Sequence, residues 1–255
     1  MGENSKIAWT DHTFNPWYGC TKISPACDHC YAEGWAKRSG LVTWGSTRRK
    51  SSAVNWRKPV KWNAECGYGF PIERPKVFCA SLGDVWDNEV PNEWRADLFT
   101  LIRETPNLDW LLLSKRIGNA PGMLPADWGH GYMNVWIGST IANQEELVRD
   151  VPKLLKVPAR VRFLSCEPML SPIDLNALQA VRGLHWIICG GESGSHARSL
   201  PIEWARDLRY QAENREIAFF MKQGSQRDWP AFDVFESFPS SVRVRQFPLS
   251  AWNLD

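Results

Sequence analysis

The chain has 255 residues, of which 44% are hydrophobic and 12% aromatic, enough to bury the core of one large domain. This composition excludes a disordered chain and a small disulfide-stapled fold. No apolar run reaches the roughly 18–20 residues needed to cross a bilayer, and the first eleven residues lack the basic-then-apolar order of a signal peptide. Seven cysteines, three of them close together, favour a reducing compartment. We therefore expect a cytoplasmic protein without membrane contact, folded as a single domain over residues 1–255.

The first motif along the chain is a cysteine loop, defined as residues 20–30. It contains Cys20, Cys27 and Cys30 between prolines and a glycine that let the backbone wrap around a metal. Zinc would require a fourth ligand, for which His12 is a candidate. Three cysteines alone would suit a cubane iron–sulfur cluster with one open iron. The spacing leaves a zinc-stapled loop and a cluster site as alternatives.

A basic insertion, residues 34–64, follows the cysteine loop. It has no Asp or Glu, although the whole chain has a net charge of only +2. Its eight basic residues interleave with four tryptophans: Lys37, Arg38, Arg48, Arg49, Lys50, Arg57, Lys58 and Lys61, with Trp35, Trp44, Trp56 and Trp62. Cations for phosphates and flat rings for bases favour a nucleic-acid surface. The alternative is a solvated segment whose tryptophans pack back on the domain.

Short apolar runs then alternate with helical patterns. Runs with little alternation predict strands buried on both faces, at residues 77–81, 110–114, 135–139, 161–167, 186–190 and 217–222. Helices are predicted at residues 91–105, 143–155 and 201–214, with Pro91 and Pro201 in their first turns. This order predicts an α/β fold, a complete or partial parallel (β/α) barrel. A doubly wound open sheet is the alternative.

Polar residues follow each predicted strand, where functional groups of such folds collect. These positions are residues 81–84, 114–116, 139–140, Glu167, residues 190–192 and residues 222–223. Lys115, Arg116, Arg198, Lys222 and Gln223 are expected at the same mouth. For each of them, an ion pair without function is the alternative to contact with a ligand.

The cysteine loop followed by a β/α array resembles the radical S-adenosylmethionine (SAM) enzymes, although their usual cysteine spacing is three residues and then two, not six and then two. The whole chain is similar to a phage- and prophage-encoded radical SAM-like family of largely unknown function. The matching segments are residues 9–11, 15–16, 20–33, 80–84, 113–116, 136–140, 163–168, 190–194, 197–198 and 220–224. The likeness therefore covers nearly the full length.

The resemblance implies a 4Fe-4S cluster on Cys20, Cys27 and Cys30, with SAM bound at the open iron and cleaved reductively to a 5′-deoxyadenosyl radical. The usual Gly-Gly-Glu motif after the second strand is absent. Asp84 stands there and would receive the ammonium of SAM. The other implied cofactor contacts are His29, Ser81, Ser114, Ser139 and Glu167. Glu192, Lys115 and Lys222 are the implied catalytic residues.

Together with the basic insertion, the resemblance favours a radical SAM enzyme of unassigned subclass acting on a nucleobase or a thymine-type modified nucleotide, in phage DNA hypermodification. A base within duplex DNA would have to be flipped out. The implied partners are a nucleic-acid or nucleotide substrate and an electron donor such as flavodoxin or ferredoxin, in a bacterial host or phage-infected cell. A small-molecule or peptide substrate is one alternative, and a non-catalytic, zinc-stapled nucleic-acid-binding module is the other.

Overall fold

A seven-stranded parallel sheet forms the centre of the computed structural model, which describes residues 2–67, 73–179, 181–229 and 231–248. Its strands are β1 (His12–Thr13), β4 (Lys76–Cys79), β5 (Asp109–Ser114), β6 (Val135–Thr140), β7 (Val161–Cys166), β8 (Trp186–Gly190) and β9 (Ala218–Gln223). Each strand lies beside the next one of the sheet in chain order. Two further short strands, β2 (Trp17–Tyr18) and β3 (Arg49–Lys50), pair antiparallel.

Within the described ranges, five α-helices connect or flank these strands: α1 (Tyr31–Ser39), α2 (Ala53–Glu65), α3 (Asn92–Glu104), α4 (Gln144–Lys156) and α5 (Ile202–Glu213). The six predicted strands and the three predicted helices are confirmed to within two residues at their ends. Pro91 and Pro201 are the N-caps of α3 and α5, one position before the first turn. At α4 the Asn143 side chain accepts a hydrogen bond from the Glu146 N–H at 2.9 Å, which caps the helix.

The sheet is curled into a half-barrel. Trp9, just before β1, packs against Trp186 of β8 with ring centroids 6.3 Å apart. Five strand spacings separate β1 from β8, so a flat sheet would place them roughly 24 Å apart. The inner face carries mainly large apolar side chains, namely Trp9, Phe78, Leu111, Trp136, Val161, Phe163, Trp186, Ile188 and Phe220. This confirms a partial parallel barrel.

The outer face of the sheet packs against α3, α4 and α5. Residues at alternate strand positions, such as Leu112 and Ile187, share one core cluster with Phe99, Leu147 and Leu208 of these helices. Because all three helices cover the same face, the doubly wound sheet, which needs helices on both faces, does not describe the fold.

The basic insertion contributes α1, β3 and α2, and its tryptophans pack on the barrel. Trp62 stacks on His12 at 4.3 Å, and Trp56 meets the Phe14 ring at 5.5 Å. Among the residues that the structure describes, acidic partners pair with four of its eight cations, in the pairs Lys37–Glu33, Arg48–Asp87, Lys50–Asp97 and Lys61–Glu3. For Trp56 and Trp62, the structure therefore agrees with the alternative that the tryptophans of the basic insertion pack back on the domain.

In the described ranges, no helix is long and apolar enough to cross a membrane.

Candidate active site

A cavity of about 740 Å³ opens at the carboxyl ends of the parallel strands. Trp9 and Phe78 of the inner apolar layer form part of its floor. Its walls contain polar side chains at the ends of five strands: Ser81, Ser114, Thr140, Ser165, Glu167 and Lys222. Cys20, Cys27 and Cys30 also line this cavity. The fold thus brings the cysteine loop and the strand-end polar groups to one place.

The three cysteines form no disulfide. The Arg116 guanidinium donates from Nη1 to Cys20 Sγ at 3.2 Å. Burial, together with the Asp84 carboxylate, raises the pKa of Cys20 to about 11, and Arg116 opposes this shift. Thiolates are the ligands that iron–sulfur clusters take, so the donor chemistry of this loop fits a cluster. Among the residues that the structure describes, no three His, Cys, Asp or Glu side chains are arranged as a ready metal site.

Asp84, in the loop after β4, is buried and almost fully hydrogen-bonded. Its Oδ1 accepts from Ser114 Oγ at 2.6 Å and from the Trp86 N–H at 2.9 Å. Its Oδ2 accepts from the Lys115 N–H at 3.1 Å and from Arg116 Nη1 at 3.3 Å. In this structure the carboxylate fixes the β5 loop, a role the sequence did not predict.

Glu167 and Lys222 form an ion pair in the cavity wall, with Nζ and Oε2 2.6 Å apart. Ser165 Oγ donates to Glu167 Oε1 at 3.2 Å. These two predicted residues, one directly after β7 and the other in β9, are thus brought together. Ser139 does not line the cavity, whereas its neighbour Thr140 does. Alternation along β6 explains this, because Thr140 shares the inner face with Trp136.

Glu192, in the loop after β8, is held by His29 and Arg198. Its Oε2 lies 2.9 Å from His29 Nδ1 and accepts the Arg198 N–H at 2.8 Å. Burial alone raises the pKa of Glu192, but the hydrogen bonds from Arg198 and His29 outweigh it and bring the pKa down to about 2. Glu192 is thus an ionised, engaged carboxylate that lines the cavity.

Ser81 and Lys115 complete the predicted set. Ser81 Oγ accepts from Asn15 Nδ2 at 2.9 Å, and its carbonyl accepts from the Tyr31 hydroxyl at 2.8 Å. Lys115 lines the cavity, and its ammonium contacts no acceptor in the described part of the chain. It is therefore a cation available to an anionic group of a ligand.

Several cavity residues were not predicted from the sequence. They are Trp9, Tyr31 and Ser165. The period-two alternation of β7 would have found Ser165, because it is in phase with the inward aromatic residue Phe163. Trp44, predicted only as part of the basic insertion, also lines the cavity.

A family model matches residues 4–238, which is most of the chain. The chain belongs to DUF5131, a family whose description reads "Protein of unknown function". No curated protein matches the DUF5131 chain. Among solved structures it is similar to a spore photoproduct lyase mutant with bound AdoMet and dinucleoside spore photoproduct, at 10% identity and a TM-score of 0.46. That similarity covers 74% of the DUF5131 chain and 58% of the other chain, so the DUF5131 chain spans less than two thirds of that structure.

Proposed function

We propose that this chain is a radical SAM enzyme. The observation that carries the proposal is that three cysteines of one loop, none in a disulfide, line the cavity at the carboxyl ends of a parallel half-barrel. In such folds the functional groups lie at this end of the sheet. When bound there, a 4Fe-4S cluster and SAM would supply reductive sulfonium cleavage and hydrogen abstraction from an unactivated carbon.

The residues of the cavity have distinct tasks in this proposal. Cys20, Cys27 and Cys30 would hold the cluster. The Lys115 ammonium, which has no acceptor among the described residues, would bind a carboxylate of the cofactor or substrate. Thr140 and the other strand-end hydroxyls offer hydrogen bonds to ribose or amino groups. The apolar floor excludes water, which protects a reactive radical from side reactions.

The substrate proposed is a nucleobase or a thymine-type modified nucleotide, with phage DNA hypermodification as the setting and flavodoxin or ferredoxin as electron donor. Two aromatic rings of the cavity, Tyr31 and Trp44, support a planar substrate. Because acidic groups of the described residues already pair with half of the cations of the basic insertion, a nucleotide monomer fits this surface better than a long duplex.

Anaerobic iron and sulfide analysis, with electron paramagnetic resonance of the reduced protein, tests the function. We expect about four irons per chain and a spectrum that changes when SAM is added. Cys27→Ala should lose the cluster, whereas Cys66→Ala, a cysteine outside the cavity, should keep it. Stoichiometric zinc without a cluster after reconstitution would favour the nucleic-acid-binding module instead.

Titration with a thymidine nucleotide and with single-stranded and duplex DNA tests the substrate. We expect binding of the nucleotide, and weak DNA binding with a shallow dependence on salt. Binding of none of these would remove nucleotides from consideration and leave a small molecule or peptide as the substrate class.

A further inference from the structure

The second half of the cysteine loop is held by hydrogen bonds from Arg198, which is distant from it in sequence. Arg198 donates from Nη2 to the Pro25 carbonyl at 2.9 Å and from Nη1 to Asp28 Oδ2 at 3.1 Å. The same guanidinium pairs with both oxygens of Glu192, and Glu192 also meets His29. The loop after β8 is thereby tied to the Cys27–Cys30 half of the cysteine loop.

A second arginine, Arg116, holds the first half of the cysteine loop by hydrogen bonds. Arg116, after β5, donates from Nη2 to the Thr21 carbonyl at 2.8 Å, in addition to its contact with Cys20 Sγ. Asp84 holds the guanidinium in place from behind at 3.3 Å. Only 9% of the Arg116 side chain is exposed, so these contacts are shielded from water.

The middle of the loop has its own support. Ser24 Oγ donates to Glu146 Oε1 at 2.5 Å, and Glu146 Oε2 accepts the Ala142 N–H at 2.7 Å. Glu146 belongs to α4, which follows β6. Strand-end segments after β5, β6 and β8 therefore hold the loop at three points, while the loop itself follows β1.

The two arginines share one design. A carboxylate at a strand end holds each guanidinium: Asp84 holds Arg116, and Glu192 holds Arg198. Each arginine donates a further N–H to a backbone carbonyl of the cysteine loop. A planar guanidinium can make both contacts at once, whereas a lysine ammonium lacks this fork. We propose that Arg116 and Arg198 are positioning residues that hold the two halves of the cysteine loop independently over the cavity. That the cysteine loop holds a cluster rests on the proposed function, whereas the attachment of the loop by the two arginines does not depend on it.

Hydrogen exchange of the metal-free protein, followed by peptide mass spectrometry, tests this. Arg198→Ala removes both charge-assisted hydrogen bonds to the loop, so it should speed exchange of the amides of Cys27 and Asp28 by about tenfold or more and leave residues 19–24 unchanged. Arg116→Ala, or Arg116→Gln if the alanine variant does not fold, should give the reverse pattern. Arg198→Lys should not restore protection, because it cannot make the paired contacts.

Arg103→Ala is the matched control, since Arg103 pairs with Asp127 and Tyr132 on the surface, away from the cavity. It should leave exchange in both halves unchanged. Equal acceleration of both halves in each arginine variant, or no acceleration in either, would overturn the proposal. After reconstitution, Arg198→Ala should bind iron but give an altered resonance spectrum. Absence of iron in the unmodified protein would refute only the proposed function, because the exchange result stands on the metal-free protein.

Discussion

Glu192 shows how the surroundings of a carboxylate change its role. A glutamate after a strand of a β/α array is a natural candidate for catalysis, and this was the prediction for Glu192 from the sequence. In the structure its oxygens are occupied by Arg198 and His29, and its pKa is about 2. A base with so low a pKa is a weak proton acceptor at neutral pH. The contacts of Glu192 with Arg198 and His29 therefore favour a role in holding these side chains electrostatically over a role in proton transfer.

Glu192 should therefore make stability depend on pH in acid. Its folded pKa lies below the ordinary value of 4.5, so its contribution is complete above about pH 4.5 and is lost as the pH falls toward 2. Over this window we expect the unmodified protein to lose about 2 kcal/mol more than Glu192→Gln. Urea unfolding at pH 7, 4.5 and 3 measures the difference. Parallel pH curves for the two proteins would contradict this expectation.

The Glu167–Lys222 pair offers a second test at this scale. Lys222→Met leaves a nearly buried carboxylate without its cation, and should cost about 2 kcal/mol of unfolding free energy. Glu167→Gln in the same background removes the stranded charge, so the double variant should be more stable than Lys222→Met alone. A double-mutant cycle by chemical denaturation at pH 7 measures this coupling. Strict additivity would show that the two groups do not interact.

At the scale of elements, the strands and helices of the barrel were predictable because their burial repeats along the chain. The run at residues 186–190 has no polar residue and is buried throughout, and the α4 pattern begins at a capping Asn143. The two-residue strand β1 was not predictable, since His12–Thr13 owes its conformation to pairing with Val77 and Phe78. Helix α2 of the basic insertion was not predicted, because its Trp56 and Trp62 are anchored by long-range contacts with Phe14 and His12.

The same distinction applies to the candidate site. The strand order alone predicted that polar groups lie together at the mouth of the barrel. Which of them face the cavity depended on strand phase, which separates Thr140 from Ser139. Which of them already have partners depended on contacts such as Asp84 with Arg116, which join segments 32 residues apart. Sequence patterns carry no information on such pairings.

Gly138 tests how tightly β6 and β7 pack. A Cβ at this position would lie 2.3 Å from Cζ of Phe163, on the neighbouring strand. Gly138→Ala should therefore cost about 1–3 kcal/mol through overpacking. Adding Phe163→Leu should recover part of this loss by making room for the methyl group. Gly122→Ala is the control, because a Cβ there meets no atom within 4 Å. Thermal unfolding of the four proteins measures the effects.

At the scale of the whole molecule, the half-barrel has an inner face that must be shielded from water although the sheet does not close around it. The sheet does not close on itself, so its inner face is open between the first strand, β1, and the last strand, β9. Aromatic side chains fill that interior, and tilted or edge-on contacts such as Trp136 with Trp186 at 5.9 Å join distant strands. Because these rings occupy the lower part, the cavity is confined to the carboxyl ends of the strands. The apolar interior thus determines where a ligand can bind.

Trp9 provides much of this shielding. It contacts Phe78 on the strand next to β1 and also reaches Phe163 of β7 and Trp186 of β8, and it forms part of the cavity floor. Trp9→Ala should cost about 3–5 kcal/mol and extend the cavity downward. Trp35→Ala should cost less, because Trp35 is half-buried and its ring contact is with Tyr18. Urea unfolding compares the two variants. Equal losses would contradict the expectation, because Trp9 is buried within the inner aromatic layer whereas Trp35 is half-buried outside it.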